Sequence, residues 1–281
     1  MRNAKVVRVT DRICSDPTYF VNREKEKLTF LKWLQRLISV RNNSLYIIGD
    51  SGIGKSSFLS QIANRNNKHV YGATPPNIYS FVIQCIPGCT MLSILDSAVF
   101  PKRPKPTGGS LSLFGFGGGV SFARNLQSDF DVWLKKVNKK FGDKPIVFFI
   151  DNINNMIDVD NIVNYVKVIF EKIQNEYDGL NINFVFSGDD TLLNYLDQGS
   201  ANIIPLKEIT YEYYSCYLDI ISIYKNINID LELQPLLFKE AEGNFRKIVK
   251  CIERMEFKYG ANLYTLDHYK NICEVSYEQV G

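Results

Sequence analysis

Residues Gly49 to Ser56 read Gly-Asp-Ser-Gly-Ile-Gly-Lys-Ser, and three glycines spaced ahead of a lysine and a hydroxyl leave few folds open to this chain. A triphosphate is held by several backbone N–H groups converging on its oxygens, and glycine lets the chain curl closely enough to supply them. Gly49, Gly52 and Gly54 give that freedom around Asp50, Ser51 and Ile53. Lys55 then reaches the β- and γ-phosphates as a point charge, and the Ser56 hydroxyl is placed to ligate Mg²⁺. The helix that starts here, with Ser57 in its first turn, aims its N-terminus at the anion. Leu45-Tyr46-Ile47-Ile48 reads as a buried strand and Ser57 to Ala63 as a helix, the setting such a loop requires. The expected ligands are ATP and Mg²⁺.

The length of 281 residues allows one large or two modest domains, and 45% hydrophobic with 22% charged residues is the composition of a globular protein. A net charge of +3 is too small to point to a nucleic-acid partner by itself. The six cysteines, Cys14, Cys85, Cys89, Cys216, Cys251 and Cys273, show no C-x-x-C spacing and read as reduced thiols. A zinc site of Cys85, Cys89 and His69 is the weaker alternative. No apolar run has the length of a membrane span, and the first fourteen residues carry charges throughout. A cytoplasmic protein with no membrane partner is expected.

Strand-length apolar bursts recur at Leu45–Ile48, Tyr79–Ile86, Ile146–Ile150, Phe184–Phe186 and Ile203–Leu206. Helix-period stretches fall at Arg23–Val40, Lys55–Asn64, Met91–Phe100, Phe130–Phe141 and Ile162–Tyr177. This alternation predicts an α/β fold with a parallel sheet that binds nucleotide at the carboxyl ends of its strands. After Leu206 the pattern turns helical at Tyr211–Ile227, Leu236–Glu242, Arg246–Phe257 and Asp267–Tyr277. The expected organisation is an N-terminal extension (1–19), a P-loop ATPase domain (20–207) and a small helical lid domain (208–281).

Residues 101–124 break the pattern, running from Pro-Lys-Arg-Pro-Lys-Pro into a glycine-rich stretch with three phenylalanines. Two readings stand. Lys102, Arg103 and Lys105 beside Phe114, Phe116 and Phe122 form a cationic and aromatic surface for single-stranded DNA or RNA. Alternatively the segment is a flexible hairpin whose rings pack on the sheet domain or on a neighbouring subunit.

Hydrolysis needs more than phosphate binding. Ile146-Val147-Phe148-Phe149-Ile150-Asp151 is an apolar strand ending in an acid, the Walker B pattern, and Asp151 would contact the metal opposite Ser56. In ATPases with an added strand between the two Walker strands, the next position is usually a glutamate that polarises the attacking water. Asn152 stands there, and an amide orients water but takes no proton from it. Slow turnover is expected unless Asp158, Asp189 or Asp190 substitutes. Ser187, ending the strand Phe184-Val185-Phe186, is the candidate polar sensor.

Phe20-Val21-Asn22-Arg23-Glu24, the Walker pair, Ser187 and Gly243-Asn244-Phe245-Arg246 together resemble the AAA+ and STAND ATPases, notably their origin-recognition-like and archaeal branches. The resemblance spans about Phe20 to Glu256 and implies an additional-strand P-loop fold with a helical lid. It implies that Phe20, Val21 and Arg23 lie beside the adenine, and that Arg246 is the lid arginine, sensor 2, that reaches the γ-phosphate.

The chain departs from that pattern in one respect: between Arg124 and Arg246 it has no arginine. That stretch holds the positions from which such ATPases insert a finger worth about a thousandfold in turnover. Lys167, Lys172, Lys207 or Arg124 are the remaining substitutes. The resemblance then implies a slowly hydrolysing switch that couples nucleotide state to homo-oligomerisation or to a partner protein. Proteins of this kind often act as sensors, including in antiviral defence. The alternatives are a DNA-binding initiator, loader or transposition regulator, and an ATPase subunit or fragment of a larger effector system.

Overall fold

Continuous runs of β-branched and aromatic residues form strands that are buried on both faces, and they can be buried only inside a sheet with helices on each side. The computed structural model describes residues 23–37, 39–101, 126–196, 201–260 and 263–271. Five strands, β1 (Ser44–Ile48), β2 (Tyr79–Gln84), β3 (Ile146–Asp151), β4 (Ile182–Gly188) and β5 (Asn202–Pro205), form one parallel sheet in the order β2-β3-β4-β1-β5. β3 and β4 are buried at every residue. The strand between the two Walker strands is β4, so the additional-strand arrangement expected from the sequence is the one observed.

Alternation along the strands divides the core in two. Tyr46, Ile48, Phe148, Ile150, Phe184 and Phe186 face the side covered by α4 (Met91–Val99), α5 (Leu126–Phe141) and α6 (Ile162–Glu176). Leu45, Ile47, Val147, Phe149 and Val185 face α1 (Glu24–Arg36) and α2 (Lys55–Ala63). On the first side an aromatic ladder crosses the sheet: Phe81 stacks on Phe148 at 5.1 Å, Phe148 on Phe184 at 5.7 Å and Tyr46 on Phe186 at 5.3 Å. Such offset pairs add to the area they bury.

The other end of the sheet is tied by asparagines. Asn183 is fully buried; its amide donates to Ile146 O at 3.3 Å and its carbonyl accepts from Asn43 N at 2.9 Å. A short helix, α3 (Lys68–Tyr71), was not foreseen; it starts where the Asn67 side chain accepts the His69 N–H.

Beyond β5 the chain becomes helical, with α7 (Tyr211–Lys225), α8 (Leu233–Ala241) and α9 (Phe245–Tyr259) sharing their own core of Tyr214, Leu218, Leu237, Ile248, Ile252 and Met255. The pattern turns helical as expected, with one short exception. β6 (Asn228–Ile229) and β7 (Leu263–Tyr264) pair as a two-residue parallel ladder. Among the described residues no helix is long and apolar enough to cross a membrane.

Candidate nucleotide-binding site

The phosphate loop leaves the carboxyl end of β1 and delivers α2. Gly52 and Gly54 hold φ of +92° and +98°, the left-handed region that side chains avoid. Close approach matters as much. A Cβ on Gly49 would run into Ile53 and the Leu206 carbonyl, and one on Gly52 would meet the Asn244 side chain and lie 2.8 Å from Arg246 Cβ. The loop is thus cramped against Leu206 on one side and Asn244 and Arg246 on the other, and the first N–H groups of α2 have no partner within their own helix.

Lys55 lies half-buried beside the loop, its Nζ donating to Gly49 O at 2.6 Å and Asp50 O at 2.7 Å. Burial lowers its pKa, and the carboxylates of Asp189, Asp151 and Asp190 oppose that shift. Arg246 adds to the lowering, so the structure brings Lys55, the Walker acid, the acids after β4 and the lid arginine into one electrostatic neighbourhood.

Asp151 ends β3 and is 3% exposed. Its Oδ1 accepts a short hydrogen bond from the Ser187 hydroxyl, and Ser187 in turn accepts the Asn152 N–H at 3.2 Å. The hydroxyl read as a sensor is thus hydrogen-bonded to the acid that ends the Walker B strand. Asn152 takes the left-handed conformation at φ +56°, ψ +49°, which asparagine tolerates better than glutamate. Its amide lies 3.5 Å from Asp151 Oδ2.

The three carboxylates weighed as substitutes for the missing glutamate differ in surroundings. Asp158 bonds Tyr165 and the Met91 N–H, and burial raises its pKa. Asp189 Oδ1 accepts from Asn154 Nδ2 at 2.7 Å and from Thr191 N at 3.1 Å, while Asn154 Oδ1 accepts the Asp189 N–H at 2.9 Å. Asp190 is exposed in the following turn. Asp189 and Asp190 both act on the Lys55 ammonium, raising its pKa against the effect of burial.

The lid reaches the loop at its apex. Asn244 caps α9, its Oδ1 accepting from Arg246 N at 3.0 Å and Lys247 N at 3.3 Å, while its Nδ2 donates to Ser51 O at 2.7 Å. Arg246 Nη1 donates to Ser51 Oγ at 2.8 Å, and its backbone N–H to Gly52 O at 3.3 Å.

Phe20 and Val21, expected beside the adenine, lie outside the described residues, as do residues 102–124 of the insertion, Arg124 among them. Arg23 is buried in the fold, donating to Ile53 O at 3.0 Å and Lys207 O at 2.7 Å. Burial pulls its pKa down against the pull of Glu26. Lys167 and Lys172 sit on α6 with acidic neighbours, Glu171 at 3.9 Å and Asp131 at 3.7 Å.

The site suits a Mg²⁺-triphosphate. Ser56 lies in the first turn of α2, Asp151 is held at the end of β3, and Gly49 and Gly52 leave no room for side chains. Among the described residues no cluster of three His, Cys, Asp or Glu could hold a metal by itself, so a cation here would depend on phosphate oxygens as well.

No family profile matches the chain, and no curated protein matches it in sequence. Solved structures do. RuvB of Thermotoga maritima, a Holliday junction branch migration motor, aligns at a TM-score of 0.53 and 15% identity over 94% of this chain and 73% of its own. A point variant of it gives a TM-score of 0.54 at 15% identity over the same shares. The fold is that of the AAA+ P-loop ATPases. Within the AAA+ fold the site described above lies at the carboxyl ends of β1, β3 and β4, with the helical region across it.

Proposed function

We propose that this protein binds ATP with Mg²⁺ at Gly49–Ser57 and works as a slowly hydrolysing switch whose lid position reports the nucleotide state. One observation carries the reading: the lid residues Asn244 and Arg246 are hydrogen-bonded to Ser51 at the apex of the phosphate loop. A phosphate arriving at that loop would compete for Arg246, so binding and lid position are linked. Ser56 and Asp151 would hold the metal, and Mg²⁺ would supply charge neutralisation for the phosphates. Lys55 binds and orients the phosphates, and Ser187 keeps Asp151 in register. Asn152 in the base position, and the lack of arginine between Arg124 and Arg246, favour a switch over a motor. The working units are residues 20–207 and a lid of 208–281, and the output is self-association or partner binding.

Light scattering tests this. With Mg²⁺ and a slowly hydrolysed ATP analogue, the mass or the protease sensitivity of residues 208–281 changes relative to ADP. Identical mass and identical cleavage in both nucleotides would contradict the switch.

A second reading, DNA binding, has one observation of its own. The basic run Lys102-Arg103-Pro-Lys105 follows Phe100, whose ring already lies under Lys136 at 5.7 Å and Lys140 at 4.9 Å. RuvB is a branch migration motor, and a cationic surface with aromatic rings suits a nucleic-acid strand. Salt-dependent DNA binding that falls on replacing Lys102, Arg103 and Lys105 supports this reading, and no binding at low salt excludes it.

A further inference from the structure

The segment that leads from β5 into the lid is gripped at three successive points. Leu206 N–H donates to Ile48 O at 2.7 Å, and its carbonyl occupies the space a Gly49 Cβ would take. Glu208 and Ile209 lie against Gly243, where a Cβ would come 2.8 Å from Glu208 Cβ and from Ile209 O. Between these grips the Lys207 carbonyl accepts from Arg23.

Arg23 holds more than the hinge. Its Nη2 gives one hydrogen bond to Lys207 O at 2.7 Å and another to Ile53 O, inside the phosphate loop, at 3.0 Å. Both bonds leave one nitrogen of a planar guanidinium, so N–H geometry sets the spacing between the two carbonyl oxygens. The side chain is 4% exposed and its Nη1 is steered by Glu26 Oε1 at 3.4 Å. Its backbone stands at φ +94°, where a long side chain is strained, so the surrounding contacts hold Arg23 in place against its own preference.

These contacts close a loop through the molecule. Gly49 abuts Leu206, Glu208 and Ile209 abut Gly243, and Asn244 and Arg246 return to Ser51 and Gly52. Arg23 spans that loop from Ile53 to Lys207. We propose that Arg23 is a positioning residue that couples the phosphate loop to the hinge, so that a change of loop shape at Ile53 is passed through Lys207 to the lid. The proposal rests on the nucleotide reading above and assigns Arg23 a role behind the loop.

Hydrogen exchange on the full chain, with and without Mg²⁺ and a slowly hydrolysed ATP analogue, tests it. In the wild type, nucleotide is expected to slow exchange at residues 49–58 and to alter it across α8 and α9. Arg23→Met keeps an unbranched apolar stem and removes the guanidinium with its donors. Its loss of the α8–α9 response should exceed, several-fold, any loss of protection at 49–58. Arg23→Lys, which keeps the charge without the planar fork, should fall between the two.

An Arg23→Met protein that is folded by circular dichroism and shows the full α8–α9 response would overturn the proposal. So would a wild type in which the loop responds and the lid does not. If Arg23→Met fails to fold, Arg23→Lys decides: a reduced lid response supports the coupling, and an unchanged one refutes it. If nucleotide leaves 49–58 of the wild type unprotected, the binding reading fails and the coupling falls with it.

Discussion

The Ser187 hydroxyl donates to Asp151 Oδ1 across the β3–β4 pair while accepting the Asn152 N–H at 3.2 Å. A hydroxyl with both capacities used is an orienting group, and the two residues are 0% and 3% exposed. Ser187→Ala removes a donor from a buried carboxylate and an acceptor from a backbone N–H. The expected cost is about 1–3 kcal/mol in chemical unfolding, with weaker Mg²⁺-dependent nucleotide binding. Wild-type stability and affinity in this variant would show that the pair is unimportant.

Asn152 occupies the base position in a left-handed conformation at φ +56°. Asn152→Glu is expected to raise steady-state phosphate release about tenfold or more if the missing base limits the rate. The same change should lower stability by about 1 kcal/mol, because glutamate is less at ease at positive φ. Turnover at the wild-type level would exonerate Asn152.

Much of this site is readable in the chain itself, since the phosphate loop and the Walker B strand are local patterns. All five strands and most helices shift by only a residue or two between expectation and structure. The shifts have physical causes. β2 stops at Gln84 rather than Ile86, ahead of Pro87, although Cys85 N still bonds Asp151 O at 2.9 Å. α8 begins at Leu233, before the expected Leu236, because Pro235 lies in a first turn where its missing N–H costs nothing. What stayed hidden depends on contacts between distant segments: the Ser187–Asp151 pair, the Asn183–Asn43 stitch, and Arg23 reaching both Ile53 and Lys207. A lone arginine at a helix start carries no periodic signal of what it will touch.

Asn244 serves two partners with one amide, and two substitutions separate them. Asn244→Asp keeps an acceptor for the N–H groups of Arg246 and Lys247 and loses the donor to Ser51 O. Asn244→Ala loses both and should melt lower by about 1 kcal/mol in stability, with Asn244→Asp close to wild type. Both should blunt the effect of nucleotide on lid proteolysis. Wild-type proteolysis in the aspartate variant would remove the Ser51 tether from the account.

Acid stability offers a test of packing away from the site. Asp131 on α5 is pulled down to about 2 by hydrogen bonds from Lys135 first and then Tyr177, whose hydroxyl donates at 2.6 Å from the end of α6. A carboxylate with a depressed folded-state pKa stabilises the fold above its ordinary value of 3.8 and loses that contribution as pH falls towards about 2. Asp131→Asn should therefore flatten unfolding against pH across that window. An unchanged acid limb would show that Asp131 is not its source.

A nucleoside triphosphate is expected to bind at Gly49–Ser57 under the charge of Lys55, whose ammonium lies 2.6 Å from Gly49 O at the loop's origin. Calorimetric titration of Mg²⁺-ATP into the wild type and Lys55→Ala measures this most directly. Saturable binding by the wild type and none by the variant is the predicted result, and equal binding by both would contradict it.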